Sequence, residues 1–75
     1  MHNYPHIVSV PGVMQGKPCI KGTRITVANI VRQIGDGRSV EAICADYPQL
    51  APEAIREALL FSSELASFET YELVS

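Results

Sequence analysis

Three cationic side chains lie close together in the segment GKPCIKGTRITV, residues 16–27: Lys17, Lys21 and Arg24. Cations at this spacing could bind the phosphates of a nucleotide or of a nucleic-acid backbone. The nearest nucleotide motif is the phosphate-binding loop. However, Gly12 and Gly16 enclose only three residues, and Pro18 stands where that loop needs Ser or Thr to bind magnesium. The pattern therefore favours a nucleic-acid backbone over a nucleotide.

Pro18 and Gly22 are explained by the backbone that they impose. Proline fixes φ, whereas glycine accepts the positive φ of a tight turn. These two residues allow Ile20 and Ile25 to face inward while the three cations face solvent, where they can contact DNA phosphates. The open alternative is an ion pair between Arg24 and an acidic residue such as Asp36 or Asp46.

Charge is divided unevenly along the chain, although the net charge is only −2. Residues 1–38 contain five Lys and Arg against one Asp, a net +4, and residues 39–75 contain one Arg against seven Asp and Glu, a net −6. The division suggests two surfaces with different partners, one polyanionic and one basic or apolar. The alternative is solvated surfaces without partners, and a row of Glu53, Glu57 and Glu64 is expected to be solvated rather than metal-binding.

Other features argue against catalysis, metals and membranes. Cys19 and Cys44 lack the spacing of a zinc site or a disulfide framework, so we expect no metal or other cofactor. His2 and His6 lie in a terminal stretch that we expect to be mobile, and no nucleophile has a His and carboxylate set, which argues against an enzyme. Because no apolar run approaches about 20 residues, we expect a cytoplasmic protein.

The first third of the chain, residues 1–25, is predicted to be a β-arm. Residues 7–10, IVSV, are mostly β-branched and end at Pro11 and Gly12, which predicts a short edge strand and a turn. Two further extended pieces are expected around Gly22. Such an arm can form little core without the rest of the chain.

Two helix patterns follow the arm. Thr26 can cap the first helix, which Gly35 and Gly37 end. Ser39 can cap the second, which Pro48 stops. The apolar stripes at helical spacing are Val27, Ile30, Val31 and Ile34 in the first and Val40, Ile43, Cys44 and Tyr47 in the second.

A third helix begins at Pro52, a residue suited to the first helical position, and runs to about Ala66. The short second helix, the tight YPQL connection and the longer third helix match a tri-helical helix-turn-helix plan over residues 26–66. Small bundles that touch no nucleic acid share this pattern. Residues 67–75 are predicted to be a separate acidic and aromatic tail.

The segments VPGVMQGKPCIKGTRITVANIV and GRSVEAICADYPQLAPEAIREAL resemble the bacterial domain-of-unknown-function family numbered 433. The resemblance covers roughly residues 7 to 61 and implies a homeodomain-like helix-turn-helix behind a β-arm. It also implies an antitoxin of a type II toxin–antitoxin pair, commonly encoded beside a PIN-like ribonuclease toxin. Ala51 departs from the Thr often found in the family, and the lost cap costs about 1 kcal/mol.

The resemblance and the charge pattern together predict promoter DNA as one partner. The cations of the arm and helix ends are expected to contact phosphates, whereas Arg56 and Gln49 are expected to read bases. The predicted DNA-binding residues are Lys17, Lys21, Arg24, Arg32, Arg38, Gln49 and Arg56. Because Glu53 and Glu57 flank Arg56, the competing prediction is a helix-turn-helix interaction module, or a transcriptional regulator without a toxin partner.

Residues 62–75, SSELASFETYELVS, combine three Glu with apolar side chains and contain no Lys or Arg. We predict that this segment orders on the basic RNA-binding rim of a cognate PIN-like toxin. The predicted partner-binding residues are Leu60, Phe61, Glu64, Leu65, Phe68, Glu69, Tyr71, Glu72 and Leu73. The alternative is a frayed end that packs its aromatics on its own domain.

A homodimer is also predicted. The ALLF segment, residues 58–61, puts apolar groups on more faces of the last helix than one core can cover, and the IVSV strand has a free edge. A single core of this size gains only about 3–5 kcal/mol, so self-association would supply missing stability.

Overall fold

The computed structural model of the chain describes residues 4–67. Two strands, β1 (Ile7–Val8) and β2 (Cys19–Ile20), precede three helices, α1 (Val27–Gly35), α2 (Val40–Asp46) and α3 (Pro52–Ser67). The fold is mainly helical with a small two-stranded antiparallel sheet, which confirms the predicted class at this level. Among the described residues, no helix is both long enough and apolar enough to cross a membrane.

Side-chain caps fix the residues at which α1 and α2 begin. The Thr26 hydroxyl accepts a hydrogen bond from the Asn29 amide at 3.0 Å, and the Ser39 hydroxyl accepts one from the Ala42 amide at 3.0 Å. Each bond satisfies an amide that has no partner within the first helical turn. Both predicted caps are confirmed.

The third helix begins on main-chain bonding, because Ala51 has no side-chain oxygen. Its carbonyl accepts a hydrogen bond from the Ala54 amide at 3.0 Å. Pro52 occupies the first helical position, where its missing N–H costs nothing, and Glu53 favours the positive end of the helix dipole. The helix therefore starts at the predicted residue and includes the predicted Ala66 and Ser67, the last described residue.

The small sheet connects the N-terminal arm to the helices. Ile7 pairs with Ile20 and Val8 pairs with Cys19. An isolated antiparallel bridge between Cys19 and Thr26 then ties β2 to the start of α1. The chain thus runs back and forth twice before the first helix begins.

The first strand is shorter than the predicted IVSV strand, because the chain turns away after Val8. The Val13 amide donates to the Val10 carbonyl at 3.0 Å. The Ser9 hydroxyl donates to the Gly16 carbonyl across the loop. In a longer strand, main-chain groups such as the Val10 carbonyl would be free to bond a neighbouring strand, but here they bond within the loop.

A 3-10 turn at Met14–Gly16 was not predicted. Met14 and Gln15 have positive φ of 48° and 60° there. Residues other than glycine pay about 1–2 kcal/mol each for this left-handed conformation. The turn is closed by the Lys17 amide, which donates to the Met14 carbonyl at 3.1 Å.

One hydrophobic core joins the arm to all three helices. Its buried members are Ile20, Val27, Ile30, Ile43, Leu50, Ala54, Ile55 and Ala58. Ile30, Ile43 and Ile55 are fully buried, and burying one such side chain contributes about 1.5–3 kcal/mol. Ile20, only 3% exposed, brings the arm into a core that the arm could not form alone.

Candidate functional site

A tight turn between β2 and α1 positions two cations of the arm. The Thr23 hydroxyl donates to the Ile20 carbonyl at 2.8 Å and accepts from the Ile25 amide at 3.0 Å. Gly22, with φ of 79°, supplies the positive φ that the sequence predicts. The cations that this turn leaves exposed are Lys21 and Arg24.

The third cation of the arm, Lys17, lies beside the start of α1. The Val27 amide donates to the Pro18 carbonyl at 2.9 Å, which fixes this part of the arm against the helix. Lys17, exposed to solvent, lines a cleft of about 510 Å³ together with Gly12, Met14, Gln15, Thr26 and Ala28. We name Lys17, Lys21 and Arg24 the arm cations.

The arm cations have no carboxylate within 4.0 Å among residues 4–67. The alternative pairing of Arg24 with Asp36 or Asp46 is therefore wrong. Asp46 binds Arg38 at 2.6 Å, and Asp36 lies 3.9 Å from Arg32. The positive charge of the arm remains exposed for an anionic partner.

The guanidinium of Arg38 is held at the junction of α1 and α2. Besides its ion pair with Asp46, it donates to the Gln33 side chain at 2.8 Å and to the Ala42 carbonyl at 3.4 Å. Its charge is compensated there, so it is less available to a phosphate than Arg32, whose side chain is 83% exposed.

Gln49 and Arg56, the two predicted base-reading residues, are both exposed. Gln49 lies in the connection between α2 and α3, which the Leu50 amide closes by donating to the Tyr47 carbonyl at 2.9 Å. Arg56 lies in the second turn of α3. Glu53, also exposed, precedes it by one helical turn and places a negative charge nearby.

A second turn of the same form lies at the N-terminal end of the described chain. Residues 4–7 read Tyr-Pro-His-Ile and residues 47–50 read Tyr-Pro-Gln-Leu. In each, the amide of the last residue donates to the carbonyl of the tyrosine, at 3.0 Å in the first and 2.9 Å in the second. Proline at the second position favours this turn, and each turn directs its aliphatic residue toward the core.

The first of these turns packs along α3 in a way that sequence analysis missed. The Tyr4 hydroxyl donates to the Glu64 carboxylate at 2.5 Å, and its ring meets the Phe61 ring edge-to-face, with centroids 5.5 Å apart. The His6 amide donates to Glu57 Oε1 at 2.9 Å, and the His6 ring Nδ1 contacts Glu57 Oε2. We name these five residues the clasp.

The contacts of the clasp shift two pKa values. The hydrogen bond to Glu64, with desolvation and the charges of Glu64 and Glu57, raises the pKa of Tyr4 to about 12. Burial alone would raise the pKa of Glu57, but the hydrogen bonds and charge of His6 outweigh burial and lower it. Both shifts favour the neutral phenol and the ionised carboxylate that the clasp requires.

Two expectations about this region are wrong. His6 is bound through both its amide and its ring rather than lying in a mobile end, whereas His2 lies outside the described residues. The glutamate row is not a uniformly solvated face, since the Glu57 side chain is only 17% exposed and Glu64 is half-buried, whereas Glu53 is exposed. The reason is the sheet: the Lys21 amide donates to the His6 carbonyl at 2.8 Å and draws the N-terminal turn onto α3.

Four of the predicted partner-binding residues lie in the described part of the chain. Phe61 and Glu64 contact Tyr4, whereas Leu60 and Leu65 are 55% and 50% exposed. The other five lie outside the described residues: Phe68, Glu69, Tyr71, Glu72 and Leu73.

The clasp had only a weak signal in the sequence. Glu57 and Glu64 are seven residues apart and therefore share one face of a helix, and Tyr4 and His6 flank a proline that predicts a turn. Neither observation says that the turn and the helix meet, because that contact spans 51 to 60 residues.

Fold and site together define a small, mainly helical domain with an exposed cationic arm and an acidic last helix. The chain belongs to the family described as "Protein of unknown function (DUF433)", which matches residues 7–62. The match includes the arm cations, all of α1 and α2, and most of α3.

Two relatives show how far this similarity extends. The uncharacterized protein y4eO of Sinorhizobium fredii (strain NBRC 101917 / NGR234) is 32% identical over 56 residues, which cover 75% of this chain and 25% of that protein. The chain thus spans a quarter of the length of this curated relative. The crystal structure of a DUF433 member protein from Anabaena variabilis ATCC 29413 superposes with a TM-score of 0.79 at 28% identity, covering 84% of this chain and 62% of that chain.

Proposed function

We propose that this chain is the antitoxin of a type II toxin–antitoxin pair, which binds its own promoter DNA and neutralises a PIN-like ribonuclease toxin. In this proposal the three helices form a homeodomain-like helix-turn-helix, with α3 as the recognition helix. The observation that carries the DNA-binding role is the exposed charge of the arm cations, which no carboxylate neutralises within residues 4–67.

The position of the arm cations suits contacts to a phosphate backbone. The arm is joined to α1 by the bond between Pro18 and Val27, so the cations are held beside the helices rather than on a loose tail. Lysine acts as a flexible point charge toward phosphates, and such contacts set the register of a protein on DNA. Arg56 and Gln49, exposed near the start of α3, would then read base edges.

The test of this role is a mobility-shift titration with the upstream promoter fragment at several salt concentrations. The double change Lys21→Ala with Arg24→Ala is expected to weaken binding to all sequences alike. It should flatten the slope of log K against log salt by about 2, because each lost phosphate contact removes about 0.9.

A matched control makes the same change in net charge at a different place on the surface. Ser63→Glu with Ala66→Glu also lowers the net charge by two, at exposed positions near the end of α3. This variant should keep nearly the wild-type affinity and salt slope. Unchanged binding by Lys21→Ala with Arg24→Ala would refute the role of the arm.

The acidic end of the chain is the proposed toxin-binding surface. Leu60 and Leu65 are exposed on α3 and supply apolar contact area, while glutamates can mimic RNA phosphates on the basic rim of a ribonuclease. Deletion of residues 67–75 is expected to abolish growth rescue when the chain is co-expressed with the product of the neighbouring toxin gene. Promoter binding by the truncated chain should stay close to wild type, and rescue by the truncated chain would contradict this division.

A homodimer is part of the same proposal. In the two-stranded sheet β1 pairs with β2 on one side only, and Leu60 lies exposed on α3. Sedimentation equilibrium at tens of micromolar should give about twice the chain mass of 8.2 kDa. A species of single-chain mass at that concentration would count against dimerisation.

A second candidate function is that of a protein-interaction module that does not bind DNA. The observation in its favour is the exposed Glu53, one helical turn before Arg56, because a carboxylate on the recognition helix repels DNA phosphates. Absence of salt-dependent binding to any DNA, together with intact toxin neutralisation, would select this alternative.

A further inference from the structure

The clasp divides the described part of α3 into a covered and an uncovered region on one side of the helix. Glu57 and Glu64 are about 10 Å apart along the helix axis, and Leu60 falls between them at helical spacing. Phe61 lies beside them and is followed one turn later by Leu65. Tyr4 and His6 engage the two carboxylates and the Phe61 ring, but Leu60 and Leu65 remain 55% and 50% exposed.

The segment that covers this surface can leave it without dismantling the core. Pro5 is exposed, and neither Tyr4 nor His6 belongs to the hydrophobic core cluster. The next residue, Ile7, is anchored separately by its pairing with Ile20 in the sheet. Release of residues 4–6 would cost the clasp contacts and the hydrogen bond from the Lys21 amide to the His6 carbonyl, while the pairing of Ile7 with Ile20 stays in place.

We propose that the surface formed by Glu57, Leu60, Phe61, Glu64 and Leu65 is a docking site for a turn-forming segment of a partner protein. This segment presents an aromatic ring and a basic side chain on either side of a proline. In the free chain the Tyr4–Ile7 turn occupies part of this site, and the partner segment replaces it.

The chemistry of the seated turn defines the partner. Two carboxylates select a basic group and a hydroxyl donor, and the Phe61 ring selects an aromatic ring at edge-to-face geometry. A partner segment longer than the turn would also cover Leu60 and Leu65, which the turn leaves exposed. That additional apolar burial is what favours the partner over the chain's own turn.

This inference refines the partner-binding role proposed for the end of α3, but its test uses no toxin. The full-length variant Tyr4→Ala with His6→Ala removes the side chains that compete for the site. The probe is a capped synthetic peptide of residues 3–7, Asn-Tyr-Pro-His-Ile, titrated into ¹⁵N-labelled protein. The peptide should bind the variant about ten-fold more tightly than wild type, because only the fraction of chains with an open site can bind.

Two matched controls define the chemistry. The same peptide with both Tyr and His replaced by Ala should not bind the variant. Adding Glu57→Gln and Glu64→Gln to the variant should strongly weaken binding of the original peptide. Equal affinity for wild type and variant, or shifts of amide resonances that spare residues 57–65, would overturn the proposal.

A milder variant keeps the test decisive if the double change impairs folding. Tyr4→Phe removes only the hydroxyl that binds Glu64 and should raise peptide affinity several-fold. No change in affinity would count against the proposal. Sedimentation tests a different occupant of the site, the turn of a second copy of the chain. A wild-type dimer that dissociates in the Tyr4→Ala, His6→Ala variant would show that the turn binds a second copy, and it would also overturn the proposal.

Discussion

The arm, residues 4–25, and the helices, residues 26–67, are held in place by different kinds of interaction. The helices begin at local signals, such as the Thr26 hydroxyl bound to an amide three residues later. The arm depends on contacts between distant positions, including Ile7 with Ile20 and Tyr4 with Glu64, which is 60 residues away. Local rules therefore determine the helices, whereas the arm takes its place only when the helices are present.

The comparison shows that one region of the chain can both expose side chains to partners and bury other side chains in the core. The arm places its cations in solvent, yet it also places Cys19 and Ile20, each 3% exposed, under the helices. The last helix places Leu60 in solvent while its Ile55 is fully buried. Each region thus contributes both to the core and to a candidate binding surface.

The largest expected effect comes from truncating the shared core on either side. Ile55→Ala in α3 and Ile20→Ala in the arm should each lower the free energy of unfolding by about 2–5 kcal/mol, through lost burial and a cavity. Because a core of this size supplies only about 3–5 kcal/mol in total, both variants should be largely unfolded. Urea titration followed by circular dichroism measures the loss.

The matched control for both core variants is Leu65→Ala. Leu65 is 50% exposed, so its truncation should change the free energy of unfolding by no more than about 0.5 kcal/mol. If Ile20→Ala behaved like this control rather than like Ile55→Ala, the arm would contribute little to the stability of the core. The statement that the arm and the helices share one core would then be wrong.

A smaller effect is expected from removing a local signal. Thr26→Ala deletes the oxygen that caps α1 and should lower the free energy of unfolding by about 1 kcal/mol. Thr26→Ser keeps the oxygen and should stay near wild type in the same thermal melts. Equal losses in the two variants would show that packing of the threonine methyl, rather than the cap, matters at this position.

The clasp should make stability depend on pH through Glu57. Its pKa is lower in the folded chain than in the unfolded chain, so the ionised carboxylate stabilises the fold above the ordinary value of 4.5, and this contribution is lost as pH falls through the lowered pKa. Glu57→Gln should cost up to about 1 kcal/mol near neutral pH and almost nothing in acid. Chemical denaturation at both pH values measures the difference.

The control for this pH dependence is Glu53→Gln, which alters an exposed carboxylate on the same helix. Because Glu53 lies in the first turn of α3, the loss of its charge should cost only about 0.3 kcal/mol near neutral pH, the lower end of the range for an exposed charge at a helix N-terminus. A constant deficit of Glu57→Gln from neutral to acid pH would mean that the ionised carboxylate contributes nothing to holding the arm.

The smallest effect is expected at Tyr4. Its pKa is raised to about 12, so the neutral phenol stabilises the clasp below its ordinary pKa of 10.0, and this contribution disappears as pH rises through about 12. Ultraviolet titration should show a tyrosine phase near pH 12. Tyr4→Phe should remove this phase, and a phase near pH 12 that survives in Tyr4→Phe would contradict its assignment to Tyr4.

Sequence patterns predicted the helices well because their determinants are local. The starts after Thr26 and Ser39 and at Pro52 follow from capping chemistry and from the tolerance of proline at the first helical position. The turn at Gly22 was predicted for the same reason, since only the backbone conformation of a few residues is involved.

The parts that could not be predicted have no local determinant. Met14 and Gln15 adopt left-handed conformations that their residue types do not favour, because the surrounding loop closes on them. The sequence allows Asp46 to pair with Arg24, but folding brings it to Arg38. The clasp depends on how the sheet returns the N-terminus to α3, which no short window of sequence contains.

The arm also makes the two thiols chemically unequal. Cys19 is 3% exposed and its Sγ donates to the Lys17 carbonyl at 3.3 Å, whereas Cys44 is only partly covered. A thiol reagent should label Cys44 in the native protein and Cys19 only when the arm detaches. The labelling rate of Cys19 thus measures how often the arm opens, and a bound partner that restrains the arm should slow it.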